Sequence, residues 1–176
     1  MKNFIYTAFL VVMGLNLEAQ VVIGKTTVSN PSVLLELDDA ENNTKGIILS
    51  AVANLNNVLG NNPAANNGTF LFDKTDDRVK MYEDGIWVNL SDPGSETKIV
   101  PNTSDENNPN QGAIIGARST NAKGVLVLES PNKAMVLPWI QNPHLNVKEP
   151  YPGMICYDTA SRTMAVFDGV VWSYWK

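Results

Sequence analysis

The chain contains one cysteine, one histidine and no clustered basic residues. Each scarcity excludes something. A lone cysteine, Cys156, cannot close an intrachain disulfide, and it lies far from the N-terminus, where a lipid-attachment cysteine would sit. Its setting, "MICYD", reads as a small buried side chain. His144, in "QNPHLN", has no second histidine and no nearby cysteine with which to share a transition metal, so it reads as a loop residue. The 13 lysines and arginines are scattered and outnumbered by 18 acidic residues, for a net charge of −5. Nucleic acid demands clustered cations that displace counterions from phosphates, so it is not an expected partner. An anionic membrane surface would repel such a chain. No apolar run is long enough to cross a bilayer, which takes about 20 residues.

What is present begins at the N-terminus. Lys2 precedes "FIYTAFLVVMGL" (Phe4–Leu15) and then "NLEAQ". A positive start, a short apolar run and a small residue behind it predict a signal peptide over residues 1–19, cleaved after Ala19. The mature protein is expected to be exported, extracellular or outer-membrane-associated, with no membrane insertion of its own.

The remainder repeats itself. "KGIILS" (Lys45–Ser50) matches "KAMVLP" (Lys133–Pro138), and "GTFLFD" (Gly68–Asp73) matches "GMICYD" (Gly153–Asp158). "VKMYEDGIWVNL" (Val79–Leu90) matches "MAVFDGVVWSYW" (Met164–Trp175). Upstream, "VIGKTT" (Val22–Thr27) faces "IIGARST" (Ile114–Thr120), and "LLEL" (Leu34–Leu37) faces "VLVL" (Val125–Leu128). The blocks keep their order at offsets of 85 to 92 residues. Two tandem related units follow, residues 20–90 and 112–176, joined by a polar, turn-rich linker over 91–111.

The blocks carry strand periodicity. Phe70 and Phe72 share one face of "GTFLFD", and Ile155 and Tyr157 keep that face apolar in the second copy. A turn over Asp73–Asp77 leads into "RVKMY", where Val79 and Met81 alternate with charged neighbours. Asp84-Gly85 and Asp168-Gly169 each read as a hairpin turn, with Trp87 and Trp172 on the returning strand. The predicted fold is mostly β, two antiparallel meanders in tandem. Between the blocks, Ala51–Leu59 is expected to form a short helix, and its counterpart "WIQNPHLNVKEPYPG", with three prolines, to be irregular.

The order "VVIGKTTVSNPSVLLELD", "TKGIIL", "GTFLFDKTDDRVKMYEDGIWVNL" resembles the exported tail-fibre-like repeat proteins common in Bacteroidetes. Repeats of that kind open with Val-Gly-Ile-Gly-Thr-Thr and Pro-Ser and close with Asn/Asp-Gly-x-x-Trp. Here Val22 stands for the first glycine, Lys25 interrupts the glycine–threonine step, and the second copy has no proline at that place. The resemblance implies a secreted or surface location, sometimes beside adhesins and secretion machinery. Its fibre-stalk segments imply self-association, with a homotrimer as one form. It carries no catalytic residue.

A search for chemistry finds no enzyme, cofactor or metal site. No Ser sits on a nucleophile elbow, and Gly24 and Gly116 are isolated rather than part of a phosphate loop. "DKTDD" offers three carboxylates, but calcium needs six to eight oxygens, and the second copy reads "DTASR". A solvated turn explains the cluster better. Two function classes remain. The first is a non-enzymatic structural or interaction protein whose partners are itself or cell-surface and outer-membrane proteins. The second is a glycan-binding module using Trp139, Trp172, Tyr174 and Trp175, which give the second half the larger aromatic surface. Core packing is the plainer role for these rings. "DTA" (Asp158–Ala160) also fits the Bacteroidetes O-glycosylation pattern, which makes Thr159 a candidate acceptor. The Asn-x-Ser/Thr triplets are those an asparagine-rich chain produces by chance.

Overall fold

A computed structural model describes residues 20–60, 62–100 and 112–176. The expected signal peptide and most of the expected linker, 101–111, lie outside the described residues. Within them the chain is mostly β.

Two short parallel pairs open the two halves. β1 (Val21–Ile23) lies along β2 (Val33–Leu37) with Val21 opposite Leu35. β8 (Ala113–Ile115) lies along β9 (Leu126–Leu128) with Ala113 opposite Leu126. After the first pair come β3 (Ile47–Ile48), β4 (Ala51–Val52), β5 (Phe70–Asp73), β6 (Arg78–Glu83) and β7 (Ile86–Asn89). After the second come β10 (Ala134–Val136), β11 (Trp139–Ile140), β12 (Met154–Asp158), β13 (Thr163–Phe167) and β14 (Trp172–Trp175). β4-β5-β6-β7 form one sheet and β11-β12-β13-β14 another, each with a parallel first contact and two antiparallel ones.

The period-two alternation of these strands builds the core. Phe72, Val79 and Leu90 from the first half meet Ile155 and Val166 from the second, with Met81, Met164, Leu49 and Leu137 packed around them. Burying each such side chain contributes about 2 kcal/mol. Two strand pairings also cross between halves. β10 adds in parallel to β2, Met135 opposite Leu35, and β3 adds antiparallel to β12, Ile47 opposite Ile155.

Several connections differ from expectation. Asp84 and Gly85 both take positive φ (46° and 87°), as a two-residue hairpin requires. Asp168-Gly169 does not repeat that turn. Only Gly169 is left-handed there (φ 102°), and β14 starts one residue further from the glycine than β7's Trp87 does, because Val170 and Val171 replace the single Ile86. Asp168 is buried and its carboxylate accepts the N–H groups of Val170 and Val171, both at 2.8 Å, which closes the wider loop. The tryptophans keep their places nevertheless. Trp87 stacks tilted on Tyr82 at 5.1 Å and Trp172 on Phe167 at 5.3 Å, each directly opposite its partner.

Ala51–Leu59 is not a helix. Its start is β4, and the Asn54 side chain accepts from Asn56 N–H to hold only a 3-10 turn over Leu55–Asn57. Conversely, the proline-rich stretch contains α1 (Pro143–Asn146), a single turn with proline at its first position, where the missing N–H costs nothing. The described part of the linker is packed rather than free: Gly94 N–H reaches Asp77 C=O at 2.7 Å, and Ser95 N–H reaches Asp168 C=O at 2.9 Å. No helix among the described residues is long and apolar enough to cross a membrane.

Candidate functional site

The aromatic residues of the second half divide by strand parity. Register places Trp139, Tyr157, Met164 and Trp175 successively across β11, β12, β13 and β14, on one face. Trp172 and Tyr174 fall on the opposite face. The four candidate rings therefore form two groups and not one row. Trp139 is exposed and tilted 6.2 Å from Tyr157. Trp175 is also exposed, while its indole Nε1 donates to the Leu90 carbonyl. On the other face, half-buried Trp172 packs on the Ile140–Cys156–Ala165 cluster. Tyr174 is exposed, and its hydroxyl lies 2.9 Å from His144 Nδ1, with the rings edge-on at 6.3 Å. Burial, then the charge of Asp158, raises the Tyr174 phenol above its ordinary range. The parity that separates Trp172 and Tyr174 from Trp175 is legible in "WSYW" itself.

Cys156 is fully buried, and burial, followed by the charge of Asp158, pushes its thiol up to about 12. A thiol so held is inert as a nucleophile. Thr159 stands half-buried in the turn after β12, its N–H on Ile140 C=O at 3.2 Å. Beneath it Asp158 accepts from Asn142 N–H (2.9 Å), Ala160 N–H (3.0 Å) and Ser161 Oγ (2.6 Å). Burial alone would raise that carboxyl, but these hydrogen bonds, led by Ser161, hold it below its usual value.

Two of the three carboxylates of "DKTDD", Asp73 and Asp76, are occupied by the protein's own cations. Asp73 takes Lys80 Nζ at 2.6 Å and Thr75 Oγ1 at 2.6 Å, and Asp76 takes Lys80 at 2.7 Å and Arg78 at 3.5 Å. Among the described residues no three His, Cys, Asp or Glu side chains converge as a metal site. Buried Glu36 is similarly enclosed: Lys25 Nζ lies at 2.8 Å, Ser29 N–H at 2.7 Å, and Ser29 Oγ donates as well. Burial works against ionisation there, and Lys25 and Ser29 overcome it, holding the carboxyl at about 2.

The feature that sequence reasoning missed is an open strand. β2 is covered on both edges, by β1 and β10, whereas among the described residues β9 pairs only with β8. The consequence is large. Leu34 and Leu35 are 3% and 2% exposed, but Val125 and Leu126, which match them in the repeat, are 68% and 48% exposed. Ile114 of β8 is exposed as well. An apolar edge with unfilled backbone groups can pair with another strand, a capacity that requires no reactive side chain. No family model, curated protein or solved structure matches this chain.

Proposed function

We propose that this is an exported, non-enzymatic structural or interaction protein of the cell surface. On this reading a signal peptide, residues 1–19, is cleaved after Ala19. Residues 20–90 and 112–176 are then two tandem units of one design, with 91–111 between them. Support for the tandem design comes from the matched strand order of the two meander sheets and the equal registers of β1–β2 and β8–β9. The observation that carries the function is the exposed apolar strand β9 with its open edge, the kind of surface by which β proteins recruit another chain. Partners are a second copy or cell-surface and outer-membrane proteins.

Fractionation of a cell exporting the full-length chain tests this reading. The expected result is a product beginning at Gln20, recovered from the surface or medium and retaining an envelope component on pull-down. An unprocessed chain confined to the cytoplasm would overturn it.

A glycan-binding module is the second reading, favoured by exposed Trp139 and Trp175 on one sheet face and Tyr174 on the other. Sugars stack on exposed rings, so Trp139→Ala and Trp175→Ala should each abolish array signals if this is the activity. Thr159, on its braced turn, is the proposed O-glycosylation acceptor. Intact mass of the exported chain and of Thr159→Ala decides that point.

A further inference from the structure

We propose that the open edge of β9 receives, in parallel, the Lys45–Ser50 strand of a second copy of this chain, joining molecules head to tail. The proposal deepens the surface-protein reading and rests on its tandem design.

The chain already shows the pairing once. "KAMVLP" supplies β10, which adds in parallel to β2 with Met135 opposite Leu35 and Val136 opposite Glu36. β9 is the repeat counterpart of β2, bearing the same relation to β8 that β2 has to β1, and its corresponding edge is empty among the described residues. β3 is the counterpart of β10, from the matching segment "KGIILS", and among the described residues it lacks the corresponding neighbour and pairs with β12 only. One molecule thus carries an acceptor edge without a donor and a donor strand without an acceptor.

Backbone phase agrees. Leu49 N–H donates to Gly153 C=O, which turns the odd residues of β3 toward β12 and leaves Gly46 and Ile48 facing the other way. In β10 the corresponding residues are Ala134 and Val136, and Ala134 N–H is bonded to Ser32 C=O beside β2. On the acceptor, Val125 C=O and Glu129 N–H are bonded to β8, so Leu126 and Leu128 present theirs to the open side. Transferring the observed register puts Ile47 of the second copy opposite Leu126 and Ile48 opposite Val127. Side-chain cover transfers too. The loop following β8 closes over Leu34, with Gly116 so near that a Cβ there would stand 3.2 Å from Leu34 Cδ1. Gly24 (φ 84°), the counterpart of Gly116 (φ 97°), would bring the same loop of the second copy over exposed Val125.

Donor and acceptor differ, so the contact is heterologous and builds a closed ring or a filament. The ladder is short, so association is expected in the micromolar range, tightened where a ring closes.

The test uses the full-length chain produced in an exporting host. Sedimentation across micromolar concentrations should show multiples of the chain mass that dissociate on dilution. Leu126→Lys should weaken this association roughly tenfold or more, because the ammonium would be desolvated against Ile47, while the circular dichroism spectrum stays unchanged. Two variants with one added cysteine each read the register directly, since native Cys156 is buried. Ile48→Cys mixed with Val127→Cys should form a disulfide between unlike chains, and neither variant alone should cross-link. Cross-linking within one variant only would overturn the proposal. So would a thiol in the Val127→Cys variant that is shielded from alkylation in the dilute monomer because residues 1–19 or 101–111 cover β9. A strict monomer without mixed disulfide would also overturn it, and its recovery at the cell surface would leave the surface-protein reading standing.

Discussion

β2 and β9 hold corresponding places beside β1 and β8, in two different surroundings. Both follow a short parallel partner, both present Leu at the matching position (Leu35 and Leu126), and their registers to β1 and β8 correspond. β2 is sealed by β10 along one edge and by the loop after β8 over Leu34, while β9 has neither cover among the described residues. Burial here depends on which neighbour is present, since the strands themselves are nearly alike. The comparison also explains a divergence. The buried strand carries Glu36, neutralised by Lys25 and hydrogen-bonded by Ser29, where β9 carries Val127 and the loop carries Ala117 in place of Lys25. The enclosed strand gains a fixed ion pair, and the open strand stays apolar at that position.

The comparison can be broken most directly by truncation. Leu35→Ala should destabilise by about 3 kcal/mol in urea unfolding, the cost of a cavity in a sealed site, whereas Leu126→Ala in dilute protein should cost under about 1 kcal/mol. Equal costs would mean that β9 is already covered. The two Asp-Gly loops come next. Gly169→Ala should cost about 2 kcal/mol or more, since its Cβ would meet Ser95 C=O at 2.1 Å and its φ is positive. Gly85→Ala, with open space around it, should cost only the left-handed strain of about 1 kcal/mol. Thermal melts of the two variants check the order.

A further contrast is the pH dependence that Glu36 gives β2 and that Val127 cannot give β9. Glu36 ionises near 2 in the fold against 4.5 ordinarily, so its folded carboxylate is the favoured form. Its contribution is fully present above pH 4.5 and is lost as pH falls through about 2. Glu36→Gln should therefore cost about 1.5 kcal/mol at neutral pH and progressively less toward pH 2, read from paired urea titrations. Val127→Gln should show no such trend.

The meanders were legible because their signals are local. Alternation at Phe70, Phe72, Val79 and Met81 marks β5 and β6, and Asp84-Gly85 marks the turn between β6 and β7. The pairings of β10 with β2 and of β3 with β12 were not legible. They join short strands some 100 positions apart, and nothing near Ile47 or Met135 specifies a distant partner. The second Asp-Gly misled for a related reason: the dipeptide is a turn signal, but it sits one position earlier between Phe167 and Trp172 than between Tyr82 and Trp87, which changes the loop it closes. At the aromatic site, composition pointed to the rings, and only strand parity divides Trp139 and Trp175 from Trp172 and Tyr174.

Amide hydrogen exchange on the full chain, compared at dilute and high concentration, tests most directly whether β9 is β2 without its partner. Leu35 amide protection should be the same at both concentrations. Leu126 and Leu128 should exchange fast in dilute protein and slow as concentration rises. Leu126 and Leu128 amides protected as strongly as that of Leu35 in the dilute monomer, or unprotected at every concentration, would contradict the account.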